Sequence, residues 1–270
     1  MQTDRVVDGR IPGTDAVAPR ISVVIPVKND AAHLERCLTR LALQSRPPDE
    51  LIVVDNGSSD GSAEVAARFG AAVVRCSEPG IPAASARGYD AANGDIILRL
   101  DADCVAPISW IENVVSAFGR RPDIAAVTGA ARFIDGPLAL RVPLASVYLL
   151  GYVLVTVPTL GHLPVFGSNF AMRASTWRSV ERLVHRDDPE LHDDLDIAFH
   201  IGDRRRIGYL RGEAMGISMR PFRSASSFVT RVSRGFRTVF RHWPRDFPPH
   251  RWCRVAWHRV SDHRLRGRPS

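Results

Sequence analysis

Short apolar segments alternate with helical patterns through the first half of the chain, and this alternation restricts the fold more than any other feature. The apolar segments are rich in Val and Ile and have little polar surface, which is typical of strands buried on both faces. They occupy residues 21–27, 51–54, 71–75, 96–100 and 124–127. Between them, leucine or alanine recurs at helical spacing. We therefore predict an α/β fold with a mostly parallel, Rossmann-like sheet flanked by helices.

The composition is that of an ordinary globular protein. The chain has 270 residues, enough for one large α/β domain, and 45% of them are hydrophobic and 24% charged. The four cysteines form no CxxC pair and have no metal-ligand spacing, so a reduced, cytoplasmic location is expected. Residues 1–20 are polar and lack the apolar core of a secretory signal, so we expect a flexible lead-in there.

The formal net charge of +7 hides a strong asymmetry along the chain. Residues 204–270 hold 17 arginines and three acidic residues, whereas the rest of the chain holds 19 basic and 26 acidic residues. In residues 221–270, phenylalanine and valine recur at helical spacing with arginine on the other side, which predicts an Arg-rich amphipathic tail.

A basic tail of this kind indicates an anionic partner, such as a diphosphate, an anionic membrane surface or nucleic acid. Nucleic acid is disfavoured because the chain has no recognised nucleic-acid-binding module. The protein could instead act peripherally at the inner face of the membrane. An electrostatic contact with lipid should weaken as salt is added.

Residues 142–172 contain no Asp, Glu, Lys or Arg. Pro143, Pro158 and Pro164 interrupt this segment, and the stretch between the first two is too short to cross a bilayer as a helix. We therefore expect a helix that is buried in the protein or rests on lipid, rather than a membrane span.

Two carboxylates, Asp101 and Asp103, directly follow the apolar segment 96–100. On an open parallel sheet, ligands bind beyond the carboxyl ends of the strands. A hard divalent cation could there join both carboxylates to a phosphate. The alternative is a solvated turn, which is the more common use of an isolated Asp-x-Asp triplet.

Carboxylates at three separate places in the chain could meet at this edge of the sheet: Asp55, the Asp101/Asp103 pair and the Asp193/Asp194 pair. A strand-end aspartate can accept a hydrogen bond from a base or a ribose hydroxyl. An Asp-x-Asp pair can hold a metal against a diphosphate, and a separate carboxylate can take a proton from an attacking hydroxyl. Together they indicate group transfer from a nucleoside diphosphate to an alcohol. The chain has no GxxxxGK[ST] motif, which argues against a P-loop NTPase.

Five short blocks also stand in the order and at the intervals of a known family. They are residues 23–30 (VVIPVKND), 53–62 (VVDNGSSDGS), 100–103 (LDAD), 167–173 (GSNFAMR) and 192–196 (HDDLD). With these blocks the chain resembles the inverting nucleotide-sugar glycosyltransferases of family 2, which have the GT-A fold. The resemblance implies a GT-A domain over residues 21–220, with a nucleotide-binding half (21–130) and an acceptor half (131–220). The basic helical extension, residues 221–270, would follow it.

The resemblance also assigns residues to the donor. Pro26 and Lys28 would border the nucleotide, and Asp55 would contact its base. Arg87 would lie near the nucleotide or the diphosphate, and Asp101 would bind the ribose or the donor sugar.

The same resemblance implies a bound Mn²⁺ or Mg²⁺, with Asp103 as the principal ligand and Asp101 as its companion. Arg220 stands where many members of the family have a histidine, which puts a second metal or phosphate contact in doubt. Arg234 is a candidate to reach the diphosphate in its place.

On the acceptor side, the resemblance makes Asp194 the general base and assigns Asp193 and Asn169 to acceptor binding. Because two aspartates are adjacent, the assignment of the base could shift from Asp194 to Asp193. His192 departs from the family pattern at the position before them.

The implied reaction is the transfer of one sugar from a nucleoside-diphosphate sugar, UDP- or GDP-linked, to a glycan, lipid or small-molecule acceptor. A processive synthase is disfavoured because the chain lacks a Gln-x-x-Arg-Trp motif. Two other readings stay open at this point. One is a nucleotidyltransferase, and the other is a non-catalytic nucleotide-sugar-binding protein tethered by its basic tail.

Overall fold

The computed structural model describes residues 18–222 and 224–266, so residues 1–17 of the predicted lead-in lie outside the described residues. The strands are β1 (Ile21–Val27), β2 (Glu50–Asp55), β3 (Ala72–Arg75), β4 (Ile96–Arg99), β5 (Ile124–Phe133), β6 (Phe170–Arg173) and β7 (Arg206–Ile217). The helices are α1 (Ala31–Ala42), α2 (Ser62–Arg68), α3 (Ile81–Ala91), α4 (Trp110–Arg120), α5 (Arg141–Leu160), α6 (Ala174–Val180), α7 (Asp193–Arg204), α8 (Ala225–Arg241) and α9 (Pro248–Arg266).

The seven strands form one mixed sheet in the order β3-β2-β1-β4-β6-β5-β7. Strands β1 to β4 pair in parallel, as do β5 and β7. Strand β6 runs antiparallel between β4 and β5. The predicted α/β class with a mostly parallel sheet is confirmed. The strand β6 was not predicted, because four residues that follow a polar turn carry little periodic signal.

The reversed direction of β6 has a consequence for the site. A strand antiparallel to β4 begins at the edge where β4 ends. The turn before it, Gly167–Asn169, therefore lies at the carboxyl edge of the sheet, beside Asp101.

The helix α3 packs unusually close to the sheet. A Cβ atom added to Gly88 would lie 2.3 Å from the Val24 side chain on β1 and 2.8 Å from the Val54 side chain on β2. Both valines are fully buried. Glycine at position 88 thus sets the distance between α3 and the two strands whose ends form the nucleotide side of the edge.

The uncharged segment forms one continuous helix, α5, and the expectation that its prolines would cut it is wrong. Pro143 is the third residue of the helix, where a backbone N–H would have no intrahelical acceptor, and Pro158 lies in the last turn. Among the described residues, α5 is the one helix that is long and apolar enough to cross a membrane, by length and composition.

One face of α5 packs against the rest of the protein, so the helix lies along the surface of the fold. Its buried residues include Ala145 and Thr156, and Tyr152 donates to the Val165 carbonyl at 3.2 Å. The opposite face is exposed and apolar, with Val147, Leu150, Leu154 and Val155. The expectation of a buried helix therefore holds for one face only.

The C-terminal helices pack against the preceding fold, and several of their arginines form ion pairs. Arg251 is fully buried and donates to the Leu160 carbonyl at 2.7 Å and the Phe199 carbonyl at 2.7 Å. The ion pairs of the two helices are Arg234–Glu190, Arg237–Asp188, Arg251–Asp246 and Arg254–Asp203. These four arginines thus already contact acids within the chain, which weakens the inference of an anionic partner from charge alone.

The amphipathic helix predicted in the tail is α8, and two of its arginines pair with acids of the preceding fold. Arg234 and Arg237 face the acids of the loop before α7. The phenylalanines on the other side face outward, with Phe228 44%, Phe236 55% and Phe240 56% exposed.

The close packing of α3 can be tested with two Gly→Ala substitutions. We expect Gly88→Ala to lower the free energy of unfolding by about 1–3 kcal/mol, because the methyl group overpacks two fixed β-branched side chains. Gly119→Ala is the matched control. Gly119 also lies in a helix, but a Cβ atom added to it would meet nothing within 4 Å. Alanine there should raise the free energy of unfolding by about 0.5–1 kcal/mol. Urea unfolding measures both. Equal stability of the two variants would contradict the packing argument.

Candidate functional site

The carboxyl edge of the sheet brings together most of the predicted site residues. Strands β1, β2 and β4 end there, which places Lys28, Asp55 and Asp101 along one rim. The helix α7 begins at the same rim, with Asp193 and Asp194 in its first turn. We call this carboxyl edge of the sheet, together with the first turn of α7, the rim.

The nucleotide side of the rim is built from two interlocked turns. Asp55 accepts a hydrogen bond from the Ser58 N–H at 2.9 Å, and Asn29 accepts one from the Ser59 N–H at 2.7 Å. Asn29 has a φ of 52°, so the turn after β1 bends sharply. The second Asp55 oxygen has no hydrogen-bond partner within the described part of the chain, which leaves it available to a base.

The other residues predicted to bind the nucleotide-sugar donor line this side of the rim, and they do not contact the rim's carboxylates. Pro26 is half-buried in β1 opposite Val54, and Lys28 is exposed at the strand's end. Arg87 is exposed on α3 and forms no ion pair with another described residue.

Asp101 and Asp103 lie next to each other at the end of β4, with ligand oxygens within 4.8 Å. Asp101 accepts from the Ser168 hydroxyl at 2.5 Å and pairs with Arg99 at 2.8 Å. Asp103 pairs with Arg220 at 2.8 Å, and Arg220 also pairs with Asp30 at 2.6 Å.

The donor set at this position fits a hard divalent cation. Carboxylate oxygens are the ligands that Mg²⁺ and Mn²⁺ prefer. The neighbouring Cys104 offers no thiolate, because burial and the charges of Asp101 and Asp103 raise the pKa of its thiol well above the usual value. Burial and Asp101 also raise the pKa of Asp103, so a cation beside it is favourable, and in this structure the Arg220 guanidinium supplies that charge.

The two aspartates at the start of α7 have different surroundings. Asp193 accepts from the Ser85 hydroxyl at 2.9 Å and lies 3.3 Å from Arg99. Asp194 accepts from the Gly167 N–H at 2.9 Å, and its other oxygen contacts the Nδ1 atom of His192.

These surroundings shift the pKa values of the two carboxyl groups in opposite directions. Burial raises the pKa of Asp193; Arg99 offsets this effect only in part, and the Asp194 charge adds to it. Burial also acts on Asp194, but His192, Arg99 and the Gly167 N–H outweigh it and lower the pKa of Asp194 to about 2. At neutral pH Asp194 is therefore ionised.

Sequence reasoning missed Arg99, which connects the two acidic groups of the rim. Its guanidinium is almost completely buried and contacts both Asp101 and Asp193. Gly167 makes room for it, since a Cβ atom there would lie 1.4 Å from an Arg99 nitrogen. The available signal was a single arginine inside an otherwise apolar strand, two residues before an aspartate.

Arg231 was also missed, and it lies where Arg234 was expected. Arg231 projects from α8 to within 3.3 Å of the Tyr148 hydroxyl on α5, and the charges of Asp101 and Asp194 act on it. Arg234 instead pairs with Glu190 at 3.1 Å. One turn of helix separates the two residues, and the sequence pattern does not distinguish them.

Asn169 is at the rim, but its side chain is used by the fold. It donates to the Ala130 carbonyl at 2.9 Å and accepts from the Trp110 indole at 2.9 Å. The residue is 3% exposed. Its assignment to acceptor binding stays a prediction, and its visible role is to hold the turn before β6.

Comparisons with known proteins agree with this geometry. The family model described as glycosyl transferase family 2 matches residues 22–176, which is more than half of the chain. A glycosyltransferase of Haloferax volcanii, AglE, is 37% identical over 106 residues, covering 36% of this chain and 35% of that protein. An undecaprenyl-phosphate 4-deoxy-4-formamido-L-arabinose transferase of Aeromonas hydrophila is 37% identical over 115 residues, covering 38% and 35%. The chain thus spans about a third of the length of these relatives.

Solved structures show the same fold. The chain superposes on glucosyl-3-phosphoglycerate synthase from Mycobacterium tuberculosis, determined with Mn²⁺, UDP-glucose and phosphoglyceric acid, with a TM-score of 0.59. The identity is 21%, and the match covers 82% of this chain and 80% of that one.

The contact between Arg220 and Asp103 leads to a prediction about metal affinity. We expect Arg220→Gln to bind Mn²⁺ about tenfold more tightly in the absence of nucleotide. The substitution removes the guanidinium that competes with Mn²⁺ for Asp103. Tenfold corresponds to about 1.4 kcal/mol, a modest share of a charge–charge contact that is partly screened by water. Calorimetric titration with Mn²⁺ measures the change.

The control for this experiment is Arg206→Gln, which removes a comparable arginine that pairs with Asp123 at 3.1 Å, away from the rim. Its Mn²⁺ affinity should equal that of the unsubstituted protein. Unchanged or weaker Mn²⁺ binding by Arg220→Gln would show that the guanidinium does not compete at Asp103.

Proposed function

This chain belongs to glycosyl transferase family 2, and on that premise we propose that it transfers one sugar from a nucleoside-diphosphate sugar to an acceptor hydroxyl with inversion at the anomeric carbon. The observation that carries the proposal is the pair of acidic groups at the rim. One group, Asp101 and Asp103, suits a metal, while Asp194 is ionised and held apart from it. Arg99 contacts Asp101 and also Asp193, the residue before Asp194.

The diphosphate leaving group would bind at the end of β4. Asp101 and Asp103 would hold Mn²⁺ or Mg²⁺, which neutralises the charge that develops on the departing diphosphate. Asp55 would accept a hydrogen bond from the base, with Pro26 and Lys28 beside the nucleotide. Arg220 lies against Asp103, so its guanidinium is placed to contact a phosphate once the metal takes over that carboxylate.

The acceptor's proton would be taken up at the start of α7. The acceptor O–H would give its proton to the Asp194 carboxylate while its oxygen forms a bond to the anomeric carbon. The bond from that carbon to the diphosphate oxygen breaks, and the nucleoside diphosphate leaves from the opposite face. Asp193, fixed by Ser85, would orient the acceptor.

A UDP-sugar is the donor we favour, since the solved relative of the same fold was determined with UDP-glucose and Mn²⁺. A GDP-sugar is the alternative donor. For the acceptor we propose a lipid-linked substrate. The inner face of α5 carries Tyr152 beside His192 at the rim, whereas its outer face is exposed and apolar. The relative from Aeromonas hydrophila is named for an undecaprenyl-phosphate substrate.

A donor screen with carboxylate variants tests the reaction. Metal-dependent release of a nucleoside diphosphate is expected with one donor. Asp194→Asn should reduce transfer about 10²–10⁴-fold, the usual contribution of a positioned general base, while donor binding is kept. Asp103→Asn should reduce both metal binding and transfer. Asp123→Asn, a carboxylate variant away from the rim, is the control and should transfer at the unsubstituted rate.

Two results would contradict the proposal. Folded Asp194→Asn and Asp103→Asn variants that transfer sugar at the unsubstituted rate would exclude these roles. Release of pyrophosphate in place of a nucleoside diphosphate would show nucleotidyl transfer.

Peripheral membrane contact gives a second test. Because the phenylalanines of α8 are exposed while Arg234 and Arg237 already pair with acids of the fold, we propose that vesicle binding depends on apolar insertion. Phe236→Ser/Phe240→Ser should weaken binding to anionic vesicles at least about tenfold, since a fully buried phenylalanine contributes about 1.5–3 kcal/mol. Co-sedimentation measures it.

The control is Arg234→Gln/Arg237→Gln, which removes two charges that already pair with Glu190 and Asp188. It should leave vesicle binding nearly unchanged, as should added salt. Loss of binding in the arginine variant and retention in the phenylalanine variant would restore the electrostatic interpretation of the tail.

A further inference from the structure

A second cluster of potential metal ligands lies behind the rim, on the side of α7 that faces α8. It consists of His185 from the loop after α6, Asp196 and His200 one turn apart on α7, and His242 at the end of α8. Their ligand atoms all lie within 4.8 Å of one another. We call these four residues the histidine cluster. None of them takes part in the proposed transfer reaction.

The three imidazole rings surround one carboxylate oxygen. Oδ1 of Asp196 is 2.7 Å from Nδ1 of His185, 3.3 Å from Nε2 of His242 and 3.7 Å from Nε2 of His200. In a tetrahedral zinc site with bonds of about 2.0–2.1 Å, neighbouring ligand atoms are about 3.3 Å apart. The observed distances bracket this value, so small side-chain movements would suffice to form such a site.

Hydrogen bonds outside the cluster already orient its ligands. The Nδ1 atom of His242 bonds to the Thr238 carbonyl at 2.8 Å, which requires the proton on Nδ1 and directs the lone pair of Nε2 at Asp196. The second Asp196 oxygen accepts from the His185 backbone N–H at 2.8 Å, which leaves Oδ1 for the cluster. Metal-binding histidines and carboxylates characteristically have such supporting bonds.

Of the three imidazole contacts to Asp196 Oδ1, the one with His185 Nδ1 at 2.7 Å is a hydrogen bond. The Nε2 atoms of His200 and His242 are buried and have no hydrogen-bond partner among the described residues. His242 is 6% exposed, and its Nε2 atom lies 3.3 Å from Oδ1 of Asp196. A neutral Nε2 lone pair facing a carboxylate oxygen is unfavourable unless a cation lies between them.

We propose that His185, Asp196, His200 and His242 form a structural Zn²⁺ site. Three imidazole nitrogens and one carboxylate oxygen are a ligand set suited to Zn²⁺, and four protein ligands leave no open position for a substrate. The site would join α8 to α7, two residues after the base Asp194. It would thereby hold both the first turn of α7 and the helix that carries Arg231.

The experiment uses the full chain and measures the metal directly. The protein as purified should contain one equivalent of zinc by elemental analysis. After chelation, Co²⁺ should restore one equivalent with the visible absorption of a tetrahedral site, and Zn²⁺ should displace it. Chelation should also lower the melting temperature, because a ligand that binds only the folded state stabilises it.

Variants separate this site from the rim. His242→Ala and the more accessible His200→Gln should each lose the tetrahedral cobalt absorption. Asp103→Asn, which impairs the rim, and His250→Gln, which removes an exposed histidine elsewhere, should keep it. These readouts do not depend on sugar transfer, so they remain informative if the proposed reaction is wrong.

Either of two results would overturn the proposal. One is the absence of both zinc and a tetrahedral cobalt spectrum in the unsubstituted protein. The other is a cobalt spectrum that persists in both folded His200→Gln and His242→Ala variants.

Discussion

The buried guanidinium of Arg99 is the interaction on which the site depends. It lies at the end of β4, almost without solvent access, and contacts Asp101 on one side and Asp193 on the other. Without this cation, the carboxylates of the strand end and of α7 would repel one another at a position with little water. Removing one member of a buried ion network leaves an uncompensated charge, which typically costs about 3–5 kcal/mol. Arg99 therefore allows the carboxylates at the end of β4 and at the start of α7 to lie close together.

The antiparallel strand β6 provides the second part of this arrangement. Because β6 begins where β4 ends, the turn before it supplies one donor to each acidic group. The Ser168 hydroxyl donates to Asp101 and the Gly167 N–H donates to Asp194. The same turn must make room for Arg99, which explains why residue 167 has no side chain. The break in the parallel order of the sheet thus serves the site directly.

The C-terminal helices complete the fold around these elements. Three arginines of the basic tail, Arg234, Arg237 and Arg254, pair with acids of the preceding domain, and Arg251 is fully buried. The apolar side of α8 faces outward, as does one side of α5. Charge asymmetry along a sequence therefore describes contacts within the chain as readily as contacts with a partner.

The sequence by itself determined the α/β class, the strands that end at the rim and the aspartates that follow them. These features depend on local patterns, namely apolar runs, turn residues and their order, which are written in consecutive residues. The tertiary structure decided what each aspartate contacts. The contacts of Arg99 with Asp193 and of Arg220 with Asp103 could be assigned only there, because the partners lie far apart in the chain. The direction of β6 and the outward face of α8 were decided in the same way, since packing and not periodicity selects between two faces of the same element.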